Sequence, residues 1–211
     1  MTQTGYLART YPVAPGDRNA IILASSSATR AKLLKAAGIP FSAEVPDLDE
    51  AALRRGVTKA SDAAQVLADR KALAISAVHR HTWVIGSDQI LAVGPHMLGK
   101  PGNRANARAQ LLQLRGRSHS LLTAVSLAHN GRVPWRHVEQ AELTMRALTD
   151  AAIDSYLDHA GTAVLGSPGA YHLEGLGATL FEQVRGDFFA ILGLPLLPLL
   201  QALRRHGALA A

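Results

Sequence analysis

Basic side chains and hydroxyl groups that could bind phosphate occur in three separate segments of the chain. Ser25-Ser26-Ser27 stands between a short apolar run and a helical pattern, and Arg30 falls in the first helical turn. Helix N-terminal N–H groups, hydroxyls and a guanidinium fork all favour a bound anion. Lys71 is the only charged member of an apolar helical face, and Lys100 lies in a Gly-Lys-Pro loop. Each position taken alone also fits an ordinary role, such as a helix cap, a snorkelling lysine or an exposed loop.

Carboxylates occur where they could act on such an anion. Asp88 follows the apolar segment Trp83–Gly86, and ligands of open α/β sheets bind at strand ends. There a carboxylate could hold a divalent cation, act as a general base or simply fix a turn. Glu174 could accept hydrogen bonds from a donor-rich ligand or face water. An acidic cluster that could bind Mg²⁺, or form a solvated turn, consists of Asp47, Asp49 and Glu50.

The two sets of residues together have the composition of a site for metal-assisted attack on a polyphosphate. Cations and donors would hold the phosphate oxygens, while carboxylates would hold the metal and orient water. The cations and donors are Ser25, Ser27, Arg30, Lys71 and Lys100, and the carboxylates are Glu50 and Asp88. We interpret the nine scattered histidines as surface or core residues. The chain has no cysteine, and we find neither a P-loop nor a Gly-x-Gly-x-x-Gly fingerprint.

Hydrophobic periodicity predicts the elements that must position these residues. Strands are predicted at Ala20–Ala24, Phe41–Val45, Trp83–Gly86 (with Ile90–Val93 beyond), Leu121–Ala128, Val138–Ala147 and Ala178–Val184. Asn130-Gly131 is a hairpin turn signal between the fourth and fifth of these strands. Helices are predicted from Ser27 to Gly38, Ser61 to Arg80, Arg104 to Arg115, Thr149 to Leu157, and from near Pro195 to Gly207. The alternation predicts one α/β domain with a mixed sheet.

Composition narrows the class of protein. The 211 residues are 48% hydrophobic and carry a formal net charge of +6, which permits an anionic partner without selecting one. No apolar run approaches the roughly 20 residues of a membrane span. Residues 1–19 contain no signal-peptide pattern, so we expect a flexible extension on a cytoplasmic protein. We interpret the arginine stripe on the helix at 104–115 as a solvated face, so nucleic acid is not an expected partner.

The order of motifs resembles the Maf family of septum-formation-inhibitor-like nucleoside triphosphate pyrophosphatases. The resemblance covers residues 20–207 through the blocks LASSSATRAKLLKAAGIPF, DLDE, LADRKA, VIGSDQIL, LGKP, GRSHSLLTAVSL, GAYHLEGLGATLFEQVRGD and LGLP. It implies a single domain with a twisted mixed β-sheet, flanked by helices in two lobes around a central cleft. It also implies a homodimer that hydrolyses nucleoside triphosphates to the monophosphate and pyrophosphate with Mg²⁺, Mn²⁺ or Co²⁺.

The same resemblance implies roles for particular residues. Asp88 matches the family's proton acceptor and, with Glu50, its metal position. Arg30, Lys71 and Lys100 match its other catalytic positions, and the substrate contacts would be Ser25, Ser27, Thr29, Gln89 and Glu174.

Two family branches differ in the nucleotide that they hydrolyse. The blocks GSDQ and LEGLGATLFE are similar to those of the branch that acts on 7-methyl-GTP. A carboxylate at Glu174 also suits a purine base, because guanine presents hydrogen-bond donors along one edge. The alternatives are a dTTP/UTP pyrophosphatase and a non-catalytic division regulator or nucleic-acid-binding module on the same fold. Thr29 stands where the family has Arg or Trp, and Ala190 stands where it often has Asn.

Overall fold

A seven-stranded mixed sheet forms the centre of the protein. The computed structural model describes residues 21–210, so the predicted extension at 1–19 lies outside the described residues. The strands are β1 (Ile21–Ala24), β2 (Ser42–Ala43), β3 (Trp83–Val93), β4 (His96–Leu98), β5 (Ser118–His129), β6 (Arg132–Met145) and β7 (Phe181–Arg185). Their order is β2-β1-β3-β5-β6-β7, with β4 also paired to β3. β1 runs parallel to β2 and β3, and the other pairs are antiparallel, which confirms the predicted mixed α/β fold.

Helices flank this sheet. They are α1 (Ala28–Ala36), α2 (Glu50–Arg54), α3 (Ala60–Val78), α4 (Arg104–Leu114), α5 (Asp150–Ala160), α6 (Phe188–Ile191) and α7 (Leu196–Arg205). Five of them begin within about two residues of their predicted starts, and the short α2 and α6 were not predicted. Ser27 and Thr149 cap α1 and α5 through their hydroxyl oxygens, as predicted. Both caps satisfy backbone N–H groups that have no partner within the helix. None of the helices in residues 21–210 has the length and apolar character needed to cross a bilayer.

Of four apolar clusters in the described residues, the two largest lie at opposite ends of the long strands. The first joins β1, α1, α7 and one end of β3, and includes Leu23, Leu34, Ile85, Leu127, Leu199 and Leu203. The second joins α4, α5 and the other end of β3, and includes Leu91, Leu111, Leu143, Met145, Ile153 and Tyr171. Because β3 and β5 contribute to both cores, their middle residues lie between the two. This arrangement confirms the expected two lobes on one continuous sheet.

Helix α3 packs unusually close to β3 at Gly86. A Cβ atom on Gly86 would lie 2.2 Å from the backbone oxygen of Ala68 and 2.7 Å from the backbone nitrogen of Ala72. Lys71 lies between these alanines in the sequence, and Asp88 lies two residues beyond Gly86 on the same face of the strand. The close approach of helix and strand therefore sets how near the Lys71 amine comes to the Asp88 carboxylate.

Asp88 lies in the middle of β3, so the prediction that a strand ends at Gly86, just before Ser87 and Asp88, is wrong. β3 is one strand of 11 residues, paired to β5 through residues 84–92. On its other side β1 pairs with residues 83–86 and β4 pairs with residues 91–93. Between β1 and β4 the described sheet leaves one edge of β3 uncovered. The polar residues are thus not a strand terminus but the part of a long strand that borders this gap.

Two smaller predictions also need correction. The strand predicted at Phe41–Val45 shrinks to Ser42–Ala43, since the short β1 offers it only two paired positions. The strand predicted from Ala178 begins at Phe181, because Leu176–Leu180 forms a 3₁₀ helix. Two more 3₁₀ helices, Gly161–Gly166 and Pro168–Ala170, precede it. This glycine-rich region therefore forms folded turns beside the sheet.

Candidate active site

A cleft with a volume of about 690 Å³ opens beside the uncovered edge of β3. Its walls come from the β1–α1 junction, α2, α3, the loop after β4, the 3₁₀ region and the segment after α6. All ten site residues predicted from the sequence line it: Ser25, Ser27, Thr29, Arg30, Glu50, Lys71, Asp88, Gln89, Lys100 and Glu174. A cleft of this volume is of the size of small-molecule binding sites in proteins.

A buried lysine joins two carboxylates at the base of the cleft. The Lys71 Nζ atom lies 2.6 Å from Asp88 Oδ1 and 2.8 Å from Glu50 Oε1. Lys71 and Asp88 are only 9% and 7% exposed. Burial by itself would raise the pKa of Glu50, but the hydrogen bond and charge of Lys71 bring that pKa below its ordinary value. The inward direction predicted for Lys71 is therefore confirmed, and its charge is compensated as a buried charge must be.

Arg30 is held against the opposite wall by uncharged partners. Its Nε donates to the Gly193 carbonyl at 2.7 Å, and its Nη1 donates to Ser25 Oγ at 3.0 Å. Burial lowers the pKa of Arg30, although the charges of Asp88 and Glu50 offset part of that effect. Among the described residues, no carboxylate forms an ion pair with Arg30 and its Nη2 makes no hydrogen bond. A guanidinium fixed in this way presents a free donor for an anion.

Lys100 and Glu174 are exposed at the rim of the cleft. Within residues 21–210, Lys100 forms no ion pair, while its charge contributes to the lowered pKa of Glu50. Thr29 is half-buried, and its side chain is shorter than the Arg or Trp expected there. The rim thus combines a free cation, a free carboxylate and a site with little side-chain bulk.

Gln89 faces away from Asp88 and supports the last turn of α6. Its Nε2 lies 2.9 Å from Thr123 Oγ1 and 3.0 Å from the carbonyl oxygens of Ala190 and Ile191. Gln89 still lines the cleft, but its amide nitrogen is used within the protein, so a substrate contact would have to come from Oε1. Ala190 is 1% exposed, and its backbone, not its side chain, makes these contacts.

The predicted acidic cluster separates in the structure. Asp49 caps α2 by accepting a hydrogen bond from the Ala52 N–H at 2.9 Å. Asp47 and Asp49 do not line the cleft, whereas Glu50 does. Glu50 therefore remains as the one member of the cluster that can face a ligand.

The sequence analysis missed several cleft residues, of which Arg54 and His172 are two that could contact a ligand. Arg54 lies four residues after Glu50, so both occupy one face of α2; this spacing could have identified it. His172 also lines the cleft, and its Nε2 lies 2.8 Å from Ser167 Oγ. The interpretation of the histidines as surface or core residues did not indicate that His172 lines the cleft. No spacing in the sequence signals that contact, since it depends on the turns of the 3₁₀ region.

The residues present suit a divalent cation shared with the substrate better than a complete protein cage. Across residues 21–210, no group of three or more histidine or acidic side chains is placed to hold an ion. Glu50 and Asp88 do converge, since both contact one amine. Mg²⁺ in phosphate sites commonly takes one or two carboxylates and completes its shell with phosphate oxygens and water. These two carboxylates fit that pattern.

The arginine stripe on α4 is engaged by acidic residues of α5. Arg108 Nε and Nη2 donate to Asp154 at 2.8 Å and to Asp150 at 2.9 Å, and Arg115 donates to Asp150 at 2.6 Å. Arg104 forms a further pair with Asp158. Hydrogen bonds from these arginines lower the pKa values of Asp150 and Asp154. The stripe thus lies on a solvent-exposed face, as predicted, but its arginines are paired with aspartates, which the sequence analysis did not predict.

The fold and the cleft define an α/β protein equipped to bind a strongly anionic ligand next to a buried carboxylate. The chain belongs to the Maf family: the model described as "Maf-like protein" matches residues 20–206. This confirms the resemblance noted in the sequence.

Relatives of known function have two kinds of name. The nucleoside triphosphate pyrophosphatase of Rhodospirillum rubrum is 47% identical over 193 residues, which cover 90% of this chain and 96% of the relative. The 7-methyl-GTP pyrophosphatase of Brucella abortus is 44% identical over 190 residues, covering 88% and 96%. A solved nucleoside-triphosphatase / dITP/XTP pyrophosphatase from Mycobacterium abscessus aligns at 15% identity over 90% of this chain and 96% of that chain. Its TM-score of 0.41 is too weak a similarity to define a fold.

Proposed function

We propose that this protein hydrolyses a nucleoside triphosphate to the nucleoside monophosphate and pyrophosphate in the cleft. One observation carries the proposal: the buried Lys71 holds Asp88 and Glu50, while Arg30 and Lys100 face the same space and have no acidic partner in residues 21–210. A triphosphate needs such free cations, and its hydrolysis needs a carboxylate that can take a proton from water. The names of the relatives at 47% and 44% identity agree with this activity.

The geometry supports a definite division of labour in the reaction. Water attacks the α-phosphorus and gives its proton to Asp88; the bond from the α-phosphorus to the bridging oxygen breaks, and pyrophosphate leaves. Arg30 and Lys100 neutralise charge on the phosphates. Lys71 donates to Asp88 at 2.6 Å, which orients the carboxylate toward the cleft.

We assign the metal position to Glu50 and Asp88. A bound Mg²⁺, Mn²⁺ or Co²⁺ would act as a Lewis acid on the phosphate oxygens. Glu50 is suited to this role because its lowered pKa keeps it ionised at neutral pH, and because half of its side chain is accessible from the cleft. Lys71 would hold both carboxylates in position beside the ion.

A modified purine nucleotide such as 7-methyl-GTP is our proposed preferred substrate. Glu174 supports this choice, since it is an exposed carboxylate on the cleft rim and guanine offers N1–H and an exocyclic amine as donors. The alternative is a preference for dTTP and UTP, as in the other branch of the family. The short Thr29 side chain, where the family has Arg or Trp, leaves more space for the base than either of those residues would.

A pyrophosphate-release screen tests the proposed function. Purified protein is supplied with canonical, methylated and deaminated triphosphates, each with Mg²⁺, Mn²⁺ or Co²⁺, and the products are identified. We expect pyrophosphate and the monophosphate in a strictly metal-dependent reaction, fastest with a modified purine nucleotide. Release of orthophosphate alone, or no release at all, would contradict the proposed reaction. Faster hydrolysis of dTTP and UTP than of every purine would overturn only the proposed base preference.

We further propose that the enzyme works as a cytoplasmic homodimer that removes non-standard nucleotides. The family resemblance is the support for this assembly and location, and sedimentation equilibrium of the purified protein tests the dimer. A role as a nucleic-acid-binding module is less favoured, because the arginines of α4 are already paired with aspartates of α5. Duplex binding that weakened steeply as salt increased would support that alternative.

A further inference from the structure

A glutamine outside the cleft connects two loops that line it. Gln110 lies on α4 and is half-buried. Its Nε2 donates to the Gly99 carbonyl at 2.9 Å, and its Oε1 accepts from the Gly169 N–H at 2.9 Å. A carbonyl can only accept and an N–H can only donate, so the orientation of the amide is fixed by its two partners. Both ends of this one side chain are therefore used, each on a different loop.

The two loops face the ligand with different chemistry. Gly99 directly precedes Lys100, a cation that lines the cleft and forms no ion pair among the described residues. Gly169 lies at the start of the segment that leads to His172 and Glu174, which line another part of the cleft. A single backbone hydrogen bond, from the Gly102 N–H to the Leu165 carbonyl at 3.1 Å, also joins these regions. Gln110 is the side chain that bridges them within the described residues.

The segment around Gly169 needs contacts from outside to keep its conformation. Gly169 and Ala170 have φ angles of +79° and +56°, and the second value is unfavourable for a residue with a Cβ. Such strain persists only where neighbouring groups hold the backbone in place. Gln110 holds Gly169, and the Tyr156 hydroxyl donates to the Ala170 carbonyl at 3.0 Å. The position of Glu174 thus depends in part on a residue that does not touch the ligand.

We infer that Gln110 is a positioning residue that sets the Lys100 loop and the Glu174 segment at the separation required by one nucleotide. The inference rests on the proposed function and extends it. In the proposed function the phosphates bind near Lys100 and the base binds near Glu174. The two ends of the substrate then contact two different loops, and within the described residues the side chain of Gln110 connects these loops. Loss of that link would lower turnover and also weaken the distinction between bases.

The test compares Gln110→Met with Gln113→Met. Methionine keeps the length of glutamine but removes both hydrogen bonds. Gln113 is a matched control, since it lies one turn further along α4, is also half-buried and makes no side-chain hydrogen bond among the described residues. We expect Gln110→Met to lower kcat by about 10–100-fold, because small displacements of catalytic groups have effects of this size. Gln113→Met should keep kcat and the kcat/KM ratio between bases near the wild-type values.

A second variant separates the two contacts. Gln110→Glu retains an acceptor for the Gly169 N–H but loses the donor to Gly99. We expect it to lower kcat while keeping the kcat/KM ratio between a purine and a pyrimidine triphosphate. Gln110→Met should move that ratio toward one. In a Lys100→Met background, Gln110→Met should have little further effect on kcat, since both act through the same cation.

The outcomes distinguish this inference from the proposed function. If Gln110→Met has wild-type kcat and base ratio, or loses activity only in proportion to unfolded protein, Gln110 is not a positioning residue. If the wild-type protein itself releases no pyrophosphate, the proposed function fails. In that case the link between the two loops is tested by binding: the measurement is the rise in Tm that inorganic triphosphate produces in each variant. A smaller rise for Gln110→Met than for Gln113→Met supports the link, and equal rises overturn it.

Discussion

Two regions of this molecule mix basic and acidic side chains but use them differently. In the α4–α5 seam, formed by Arg104, Arg108 and Arg115 with Asp150, Asp154 and Asp158, each arginine contacts an aspartate. In the cleft, Lys71 is paired with two carboxylates, whereas Arg30 and Lys100 have no acidic partner in the described chain. The arginine charges of the seam are therefore compensated within the protein, whereas the cleft retains cationic charge that can bind a ligand.

Burial accentuates this difference. Lys71 and Asp88 are almost fully buried, while the seam is exposed to solvent and to salt. Water and ions screen the seam pairs, which therefore contribute little to stability. Charges at the base of the cleft interact in a medium of lower dielectric, where each contact with an anion is stronger. A count of arginines along the chain would favour the seam as the binding site, yet the cleft contains the available charges.

Removal of one cation from each region should give the largest contrast. Lys100→Met should lower the rate of pyrophosphate release on the order of 10²-fold, the usual cost of losing a preorganised charge that stabilises a transition state. Arg108→Met should leave that rate within about twofold of wild type, because Arg108 is paired with acidic residues of the protein itself and is not needed to bind the substrate. Steady-state kinetics with one triphosphate and Mg²⁺ measures both. Similar losses in the two variants would remove the distinction between the regions.

Gly86→Ala should disturb the cleft without touching the seam. The added Cβ would meet the backbone oxygen of Ala68 at 2.2 Å, so α3 must move away from β3. We expect the free energy of unfolding to fall by about 1–3 kcal/mol, together with a loss of activity as Lys71 leaves Asp88. Denaturant titration measures the first effect. Gly166→Ala is the stability control, since a Cβ there meets nothing within 4 Å; equal stability of both variants would contradict the close packing.

Acid should destabilise the wall of the cleft before it affects the seam. Burial lowers the pKa of His119 from 6.5 to about 4. Its Nδ1 has no hydrogen-bond partner within residues 21–210, and its Nε2 lies 2.8 Å from the hydroxyl of Tyr171, a cleft residue. Because the unfolded chain takes up a proton more readily, stability should be lost as pH falls from about 6.5 to 4. The loss should approach about 1.4 kcal/mol per pH unit.

The variant His119→Phe checks this prediction. It keeps an aromatic ring beside Tyr171 and Phe181 and removes the titrating group. Its free energy of unfolding should vary less between pH 6.5 and 4 than that of the wild type, even if its value at pH 8 is lower. Parallel stability curves for the two proteins would show that His119 is not protonated on unfolding in this range.

The smallest expected effect belongs to the seam itself. Arg108→Met should lower Tm slightly at low salt, and the difference should shrink as salt increases, because exposed ion pairs are screened. The lowered pKa values of Asp150 and Asp154 mean that this contribution is present above their ordinary pKa and is lost as pH falls through the lowered values. A large, salt-independent drop in Tm would mean that the seam is a core element.

The sequence was sufficient to predict those site residues whose signal is local. Lys71 interrupts an apolar helical face, which indicates an inward amine, and Ser27 precedes a helix with Arg30 in its first turn. These patterns depend on spacing along one element, and the structure confirms the positions that they imply. The blocks that resemble the Maf family then indicated that distant segments share one cleft.

Other features depend on contacts between elements, which spacing does not record. Asp88 looks like a strand terminus because its neighbours are polar, but the gap between β1 and β4 explains that polarity. Gln110 occupies an ordinary position on α4, and only the structure shows that its side chain contacts two loops of the cleft. His172 reaches the cleft through turns that glycine makes possible, and no periodic pattern predicts such turns.

The most direct test of the account compares pyrophosphate release by the wild-type protein and by Asp88→Asn, at equal folded fraction and saturating triphosphate and Mg²⁺. Asparagine keeps the shape of aspartate and an oxygen for Lys71, so the fold should be retained while the proton acceptor is lost. We predict that the wild type forms pyrophosphate and that the variant does so on the order of 10²-fold more slowly or less. Full turnover by Asp88→Asn would contradict the account.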